Sequence, residues 1–421
     1  MSAPVSLDRR KFVRALLASP LLLSALAAPP VACAAPNDEV AAFRYRASQE
    51  DLEDLRRRLT GVRWPERETV TDWAQGVPLA TLRSVVDYWR DTYDWRRTEA
   101  DLSRFAQFRT EIDGLGIHFV HARSRHPDAL PIILTHGWPS TILLFRDVVG
   151  PLTDPTAHGA RAEDAFHVVI PSLPGFGLSD KPTAPGWNAA RTARAWAILM
   201  QRLGYRGYVA QGGDWGAYVT TAMAQQHPDG LEAIHLNFPQ VIPDQIPARL
   251  SAEEQRAVDK LNSFRDNDSA YFAVQATRPQ TVGYALMDSP AGLAAWIYEP
   301  YHRGTDNRGN AADAISLDKI LDEITLYWLT DTATSSVRFY FEQAAVLGKR
   351  NNPGRVDLPV GVSVFPKEVL PAPRSWADQV YPDLIQWNEL PRGGHFAALE
   401  VPDLFVAELR EFAGKLKYSG R

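Results

Sequence analysis

Val209-Ala210-Gln211-Gly212-Gly213-Asp214-Trp215-Gly216 is the stretch whose reading decides the fold. A short β-type run enters it, and a helical pattern through Tyr218, Val219, Ala222 and Met223 leaves it. Between them, Gly212 and Gly216 flank Asp214 in a small-x-acid-x-small spacing. A strand that turns sharply into a helix strains the backbone of its apex residue, and bulky neighbours would collide with the adjoining strand and helix. The pattern therefore presents Asp214 as an exposed nucleophile at the top of a strand. An ordinary strand-to-helix turn with Asp214 as the helix N-cap is the plainer alternative.

Two further glycine motifs lie on either side. His136-Gly137-Trp138-Pro139 follows the run 131–135, and Gly393-Gly394-His395-Phe396 lies near the C-terminus. A loop of the first kind, beside such an elbow, supplies oxyanion donors: here the backbone N–H groups of Trp138 and Trp215. One such donor commonly lowers a barrier by roughly 3 kcal/mol. A glycine–proline turn whose indole only packs would read the same way locally. The order nucleophile, acid, histidine makes His395 the base of an α/β-hydrolase arrangement. Glu368, after the run 360–365, is the best candidate to hold its ring; Asp357, Asp383 and Glu389 compete by position.

Strand candidates occur at 117–121, 132–135, 167–170, 208–210, 233–236, 360–365 and 385–390. Helical patterns alternate with several of them, as at Ala193, Trp196, Leu199, Met200 and Leu203 before Gly204. That alternation predicts an α/β fold with a mostly parallel central sheet covered on both faces. The divisions read from the chain are a core at 126–240 and 351–421, a helical lid at 241–350 and an N-terminal segment at 35–125. The lid interval is long, helical and rich in Tyr, Trp and Phe. In the N-terminal segment, Ser48 with Asp51 reads as a helix cap. Leu52, Leu55 and Leu59 follow at helical spacing, and Trp64-Pro65 is expected to end that helix.

Residues 1–34 read as an export leader. Arg9-Arg10-Lys11-Phe12 resembles a twin-arginine signal, an interrupted Leu/Ala run follows, and Ala32-Cys33-Ala34 offers a cleavage site. The run is too broken for a membrane span. Cys33 is the sole cysteine, so a mature chain starting at Ala35 has no disulfide; Pro30-Val31-Ala32 is a poor lipoprotein signal. The remaining composition, 45% apolar with a net charge of −5, suits a large core and offers nothing to nucleic acid. No His/Cys cluster has metal-ligand spacing, and the chemistry needs no cofactor. Oligomeric state is not readable.

Taken together, Arg63-Trp64-Pro65, the 136–139 loop, Gly213-Asp214-Trp215-Gly216, the segment 288–294 and Arg392-Gly393-Gly394-His395-Phe396 resemble the epoxide hydrolases of the microsomal and juvenile-hormone type. The match runs from about residue 40 to the C-terminus. The resemblance implies Asp214 as nucleophile, His395 as base and Glu368 as its acid partner. It also implies two lid tyrosines over the epoxide oxygen: Tyr340 in Val337-Arg338-Phe339-Tyr340, and Tyr271 in Ser269-Ala270-Tyr271-Phe272. Tyr284, Tyr298 and Tyr301 are fallbacks. His136, Gly137 and Pro139 are expected at the substrate pocket. The implied substrate is an apolar epoxide. A dehalogenase of the same fold shares the triad but needs halide donors in place of the tyrosines, and a non-catalytic binding protein on this scaffold is the remaining alternative.

Overall fold

A computed structural model describes residues 38–347, 354–370 and 372–418. The expected leader lies outside the described residues.

Among the described residues nine strands form one sheet: β1 Ala41–Phe43, β2 Gln107–Ile112, β3 Leu115–Ala122, β4 Leu130–Thr135, β5 Phe166–Pro171, β6 Tyr208–Gly212, β7 Leu231–Leu236, β8 Val360–Val364 and β9 Leu384–Glu389. Their order is β1-β2-β3-β5-β4-β6-β7-β8-β9. The first three strands and the β3–β5 pair are antiparallel, and every pair from β5 to β9 is parallel. The central strands are buried on both faces, hence their continuous runs such as Ile132-Ile133-Leu134. All seven expected strands are present. The two not expected, β1 and β2, lie in the N-terminal segment, where neighbouring helices dominate the pattern; β1 is only three residues long, and Phe108 stands between Gln107 and Arg109.

Register places the site. Thr135 at the end of β4 pairs with Gly212 at the end of β6, so the loops leaving those strands emerge side by side. This is the crossover edge where ligands collect in parallel sheets.

In the N-terminal segment, Gln49–Thr60 is capped by the Ser48 hydroxyl, which accepts from the Asp51 amide at 3.0 Å. The helix stops at Gly61, earlier than Trp64-Pro65 suggests, because the Gly61 amide turns back to the Arg57 and Arg58 carbonyls. Helices Leu79–Asp91 and Trp95–Leu102 follow. The lid interval holds six α-helices among the described residues, from Ala252–Ser263 to Ala333–Leu347. No described helix is long and apolar enough to cross a membrane.

Candidate active site

Asp214 occupies the turn between β6 and the helix Trp215–Gln226 with φ +49°, a left-handed value that non-glycine residues rarely adopt. Its neighbours explain why the chain holds that strain. A Cβ at Gly216 would overlap the Thr135 carbonyl, and one at Gly137 would overlap the Asp214 carboxylate. The glycines let strand, helix and the 136–139 loop close on the carboxylate.

That closure brings the Trp138 amide to Asp214 Oδ1, to which it donates at 2.8 Å. Trp215 opens the following helix, so its N–H lies in the first turn, where intrahelical acceptors do not exist. On the other side, His395 Nε2 stands 3.1 Å from Asp214 Oδ2, and His395 Nδ1 stands 2.6 Å from Glu368 Oε1. Glu368 Oε1 also accepts from the Val369 amide at 2.7 Å, and its backbone carbonyl accepts from Lys260 of the lid. The competitors do not meet the imidazole in this way: Asp357, for instance, pairs with Arg355. The histidine loop is pinned from two sides. The His395 amide donates to the Gly304 carbonyl at 2.7 Å, and Glu400 accepts from the Gly394 amide at 3.0 Å.

Burial alone would push His395 toward its neutral form, but the Glu368 carboxylate and the hydrogen bond to Asp214 outweigh it, and the pKa is pushed up to about 10. Glu368 and Asp214, one on each ring nitrogen, thus favour the charged form of the imidazole.

A chamber of about 60 Å³ opens above Asp214, and Tyr271 and Tyr340 both line it, with Phe272, Phe238 and Leu370. The Tyr340 ring stands edge-on to Trp215 at 4.6 Å, and Tyr271 stacks on Trp138 at 5.5 Å. Burial, helped by the Asp214 charge, drives both phenols well above their ordinary range, so they stay protonated at neutral pH. A larger approach cavity of about 260 Å³ adjoins it, lined by Trp138, Pro139, Tyr271, Phe264 and His395.

The other tyrosines named from sequence stand elsewhere. Tyr284 is exposed, Tyr298 donates to Asn310 at 2.7 Å, and the Tyr301 hydroxyl lies 3.2 Å from Ser140 Oγ. His136 lines none of these cavities. It is fully buried, with Nδ1 at 3.1 Å from the Gly137 carbonyl and Nε2 accepting from the Leu173 amide, so it shapes the loop from beneath. Sequence reasoning missed Tyr218, one turn along the helix that follows Asp214 and also in the chamber wall. Its i+4 relation to Asp214 was a usable signal. Lys260 and Asn237 carried none, since their partners Glu368 and Gln211 lie 108 and 26 residues away. Among the described residues no group of three or more His, Cys, Asp or Glu is arranged to hold a metal ion.

Comparison with known proteins follows the same lines. Residues 40–145 match the family model for the epoxide hydrolase N terminus, and residues 131–290 match that for the alpha/beta hydrolase fold. A protein of Stigmatella aurantiaca, provisionally designated an epoxide hydrolase, is 61% identical over 89% of this chain and 85% of its own length. Epoxide hydrolase 1 of Sus scrofa is 36% identical over 91% of this chain and 90% of its own. Among solved structures, juvenile hormone epoxide hydrolase from Bombyx mori aligns with a TM-score of 0.83 at 28% identity, covering 92% of this chain and 96% of that one. The Aspergillus niger epoxide hydrolase aligns at 0.79 and 32%, covering 91% and 97%. With an aspartate at the elbow, a histidine and glutamate behind it and relatives of this identity along nearly the whole length, the chain belongs to the epoxide hydrolase family.

Proposed function

We propose that the chain converts an apolar epoxide and water to a vicinal diol through a covalent ester on Asp214. The observation that carries this reading is the shared chamber: the Asp214 carboxylate and the protonated phenols of Tyr271 and Tyr340, with Tyr218 also in the wall, line the same small, mostly apolar space. A carboxylate needs no base to be nucleophilic at neutral pH, whereas the departing oxygen needs a proton, and a phenol near pKa 10 or above can give one as charge develops.

In the first step an Asp214 oxygen bonds to an epoxide carbon, the carbon–oxygen bond of the ring breaks, and the oxygen takes a proton from Tyr271 or Tyr340. Asp214 has then lost its charge. His395 has lost one of the partners that kept it protonated, and its proton passes to the phenolate. The neutral imidazole now takes a proton from water as the water oxygen bonds to the ester carbon. The tetrahedral oxyanion sits where the Trp138 amide already holds Oδ1, with the Trp215 amide beside it. Collapse breaks the ester, and the diol oxygen takes its proton from His395. Glu368 keeps the ring oriented and stabilises its charged form.

Turnover of a simple aryl epoxide, beside a haloalkane and an aryl ester, tests the reading. Diol from the epoxide alone is expected, and halide release would favour the dehalogenase alternative. For His395→Gln, intact-mass spectrometry should show a substrate-sized adduct that Asp214→Ala abolishes. An active enzyme with no adduct would reject covalent catalysis. The same reading takes residues 1–34 as a twin-arginine export leader with no stable membrane insertion of the mature chain. Fractionation with and without Arg9→Lys/Arg10→Lys checks that.

A further inference from the structure

Asp214 separates two chambers. The one lined by the phenols and the apolar lid residues shares no lining residue with a second, smaller one except Asp214 itself. The second is about 20 Å³ and is lined by Gly213, Asp214, Asn237, His395 and Phe396 among others. That volume holds one water and little else. Beside apolar and aromatic residues its wall carries Asp214, His395, Asn237 and Ser140, and the Ser140 hydroxyl already lies 3.2 Å from that of Tyr301.

Asn237 follows β7 directly and is 5% exposed. Gln211, fully buried on the neighbouring strand β6, donates to Asn237 Oδ1 at 2.8 Å. Oδ1 is thus committed, Nδ2 has no hydrogen bond to another described residue, and the side chain lines the chamber. The side chain packs against the residue that precedes the nucleophile: a Cβ on Gly213 would come within 2.8 Å of Nδ2. The mechanism above gives this amide no task.

We propose that the small chamber holds the hydrolytic water and that Asn237 is its positioning residue. The Nδ2 donor occupies one lone pair of the water, His395 Nε2 accepts one of its protons, and the second lone pair is left for the ester carbon of Asp214. The epoxide enters from the phenolic side, so the water keeps its place while the ester forms. Gln211 acts through Asn237 by fixing its amide.

This rests on the covalent-ester reading, and rapid-quench kinetics with intact-mass detection separates the two half-reactions. In Asn237→Ala, ester formation from styrene oxide should stay within about twofold of wild type, while ester hydrolysis falls roughly 10- to 100-fold, the loss expected when a reacting group is misplaced. The steady-state kcat and KM should then fall together. Asn237→Ser retains a hydroxyl at the wall and should lie between. Gln211→Met, which frees the amide without altering the chamber, should show the same split at smaller size. Equal loss in both half-reactions, or wild-type hydrolysis in any folded variant at position 237, overturns the assignment. Absence of ester in wild type and in His395→Gln would instead remove the covalent reading beneath it.

Discussion

Two clusters of buried charge flank the loop that leaves β4, and they differ in the cation. On the cavity side, Asp214 and Glu368 hold His395. Behind the loop, Asp322 of the helix Leu317–Leu329, fully buried, accepts from Tyr93 at 2.6 Å, from Thr98, and from Arg97 and Arg146. Arg146 also reaches Asp101 at 2.7 Å, so this second cluster ties the N-terminal segment, the lid helix and the core together. An arginine cannot give up its proton in this setting, so the cluster it neutralises only holds. A histidine can, so the cluster it neutralises can work. The adjacent Glu323 joins the two regions: its Oε2 accepts from Thr141 at 2.6 Å, three residues beyond the Trp138 donor.

The widest separation between the clusters should come from their central carboxylates. Asp214→Ala is expected to lower turnover by at least about 10⁴-fold, as loss of a triad member does, with unfolding in urea little changed. Asp322→Ala should do the reverse. Removing the shared carboxylate leaves Arg146 with Asp101 and Arg97 with Asp318 but strands the buried hydroxyls of Tyr93 and Thr98, so stability should drop by about 3 kcal/mol while the folded fraction keeps its specific activity. If Asp322→Ala abolished turnover in folded protein, the division of labour would be lost.

Smaller effects sharpen the picture. Tyr340→Phe and Tyr271→Phe, measured separately on an aryl epoxide, should each reduce ester formation by about 10²-fold, leaving the hydrolysis of preformed ester nearly intact. Stability against pH should distinguish the cations. The raised His395 value means that its ion pairing stabilises fully below its unfolded value, roughly 6.5, and is lost as pH climbs through about 10. Glu323→Gln gives the smallest change. Burial raises the Glu323 pKa to about 8, so the native protein carries a penalty that is absent below about pH 4.5 and complete above pH 8. The glutamine should remove that slope, with a gain in stability at pH 8 and none at pH 4.5. Thermal unfolding at both pH values checks it.

How much of this was legible before folding depends on where each residue's constraint lies. The elbow at 212–216, the 136–139 loop and the 393–396 loop each carry their geometry in a few contiguous residues, because a strained turn or close backbone approach demands glycine at fixed offsets. The parallel core strands were legible because burial on both faces writes an unbroken apolar run. Strands β1 and β2 were not, since β1 is only three residues long and β2 is polar at Gln107, Arg109, Thr110 and Glu111, so neither writes such a run.

The sequence by itself determined the fold class and singled out Asp214 and His395 as the proposed nucleophile and base. Only the tertiary structure decided that Glu368 rather than Asp357 meets the imidazole, that Tyr271 and Tyr340 share a wall while Tyr284, Tyr298 and Tyr301 do not, and that Asn237 lines a water-sized space. Those pairings span from 26 residues between Gln211 and Asn237 to 181 between Asp214 and His395. Over such distances no local backbone rule applies, and the contact exists only because the sheet's register and the lid's packing bring the two side chains to one place.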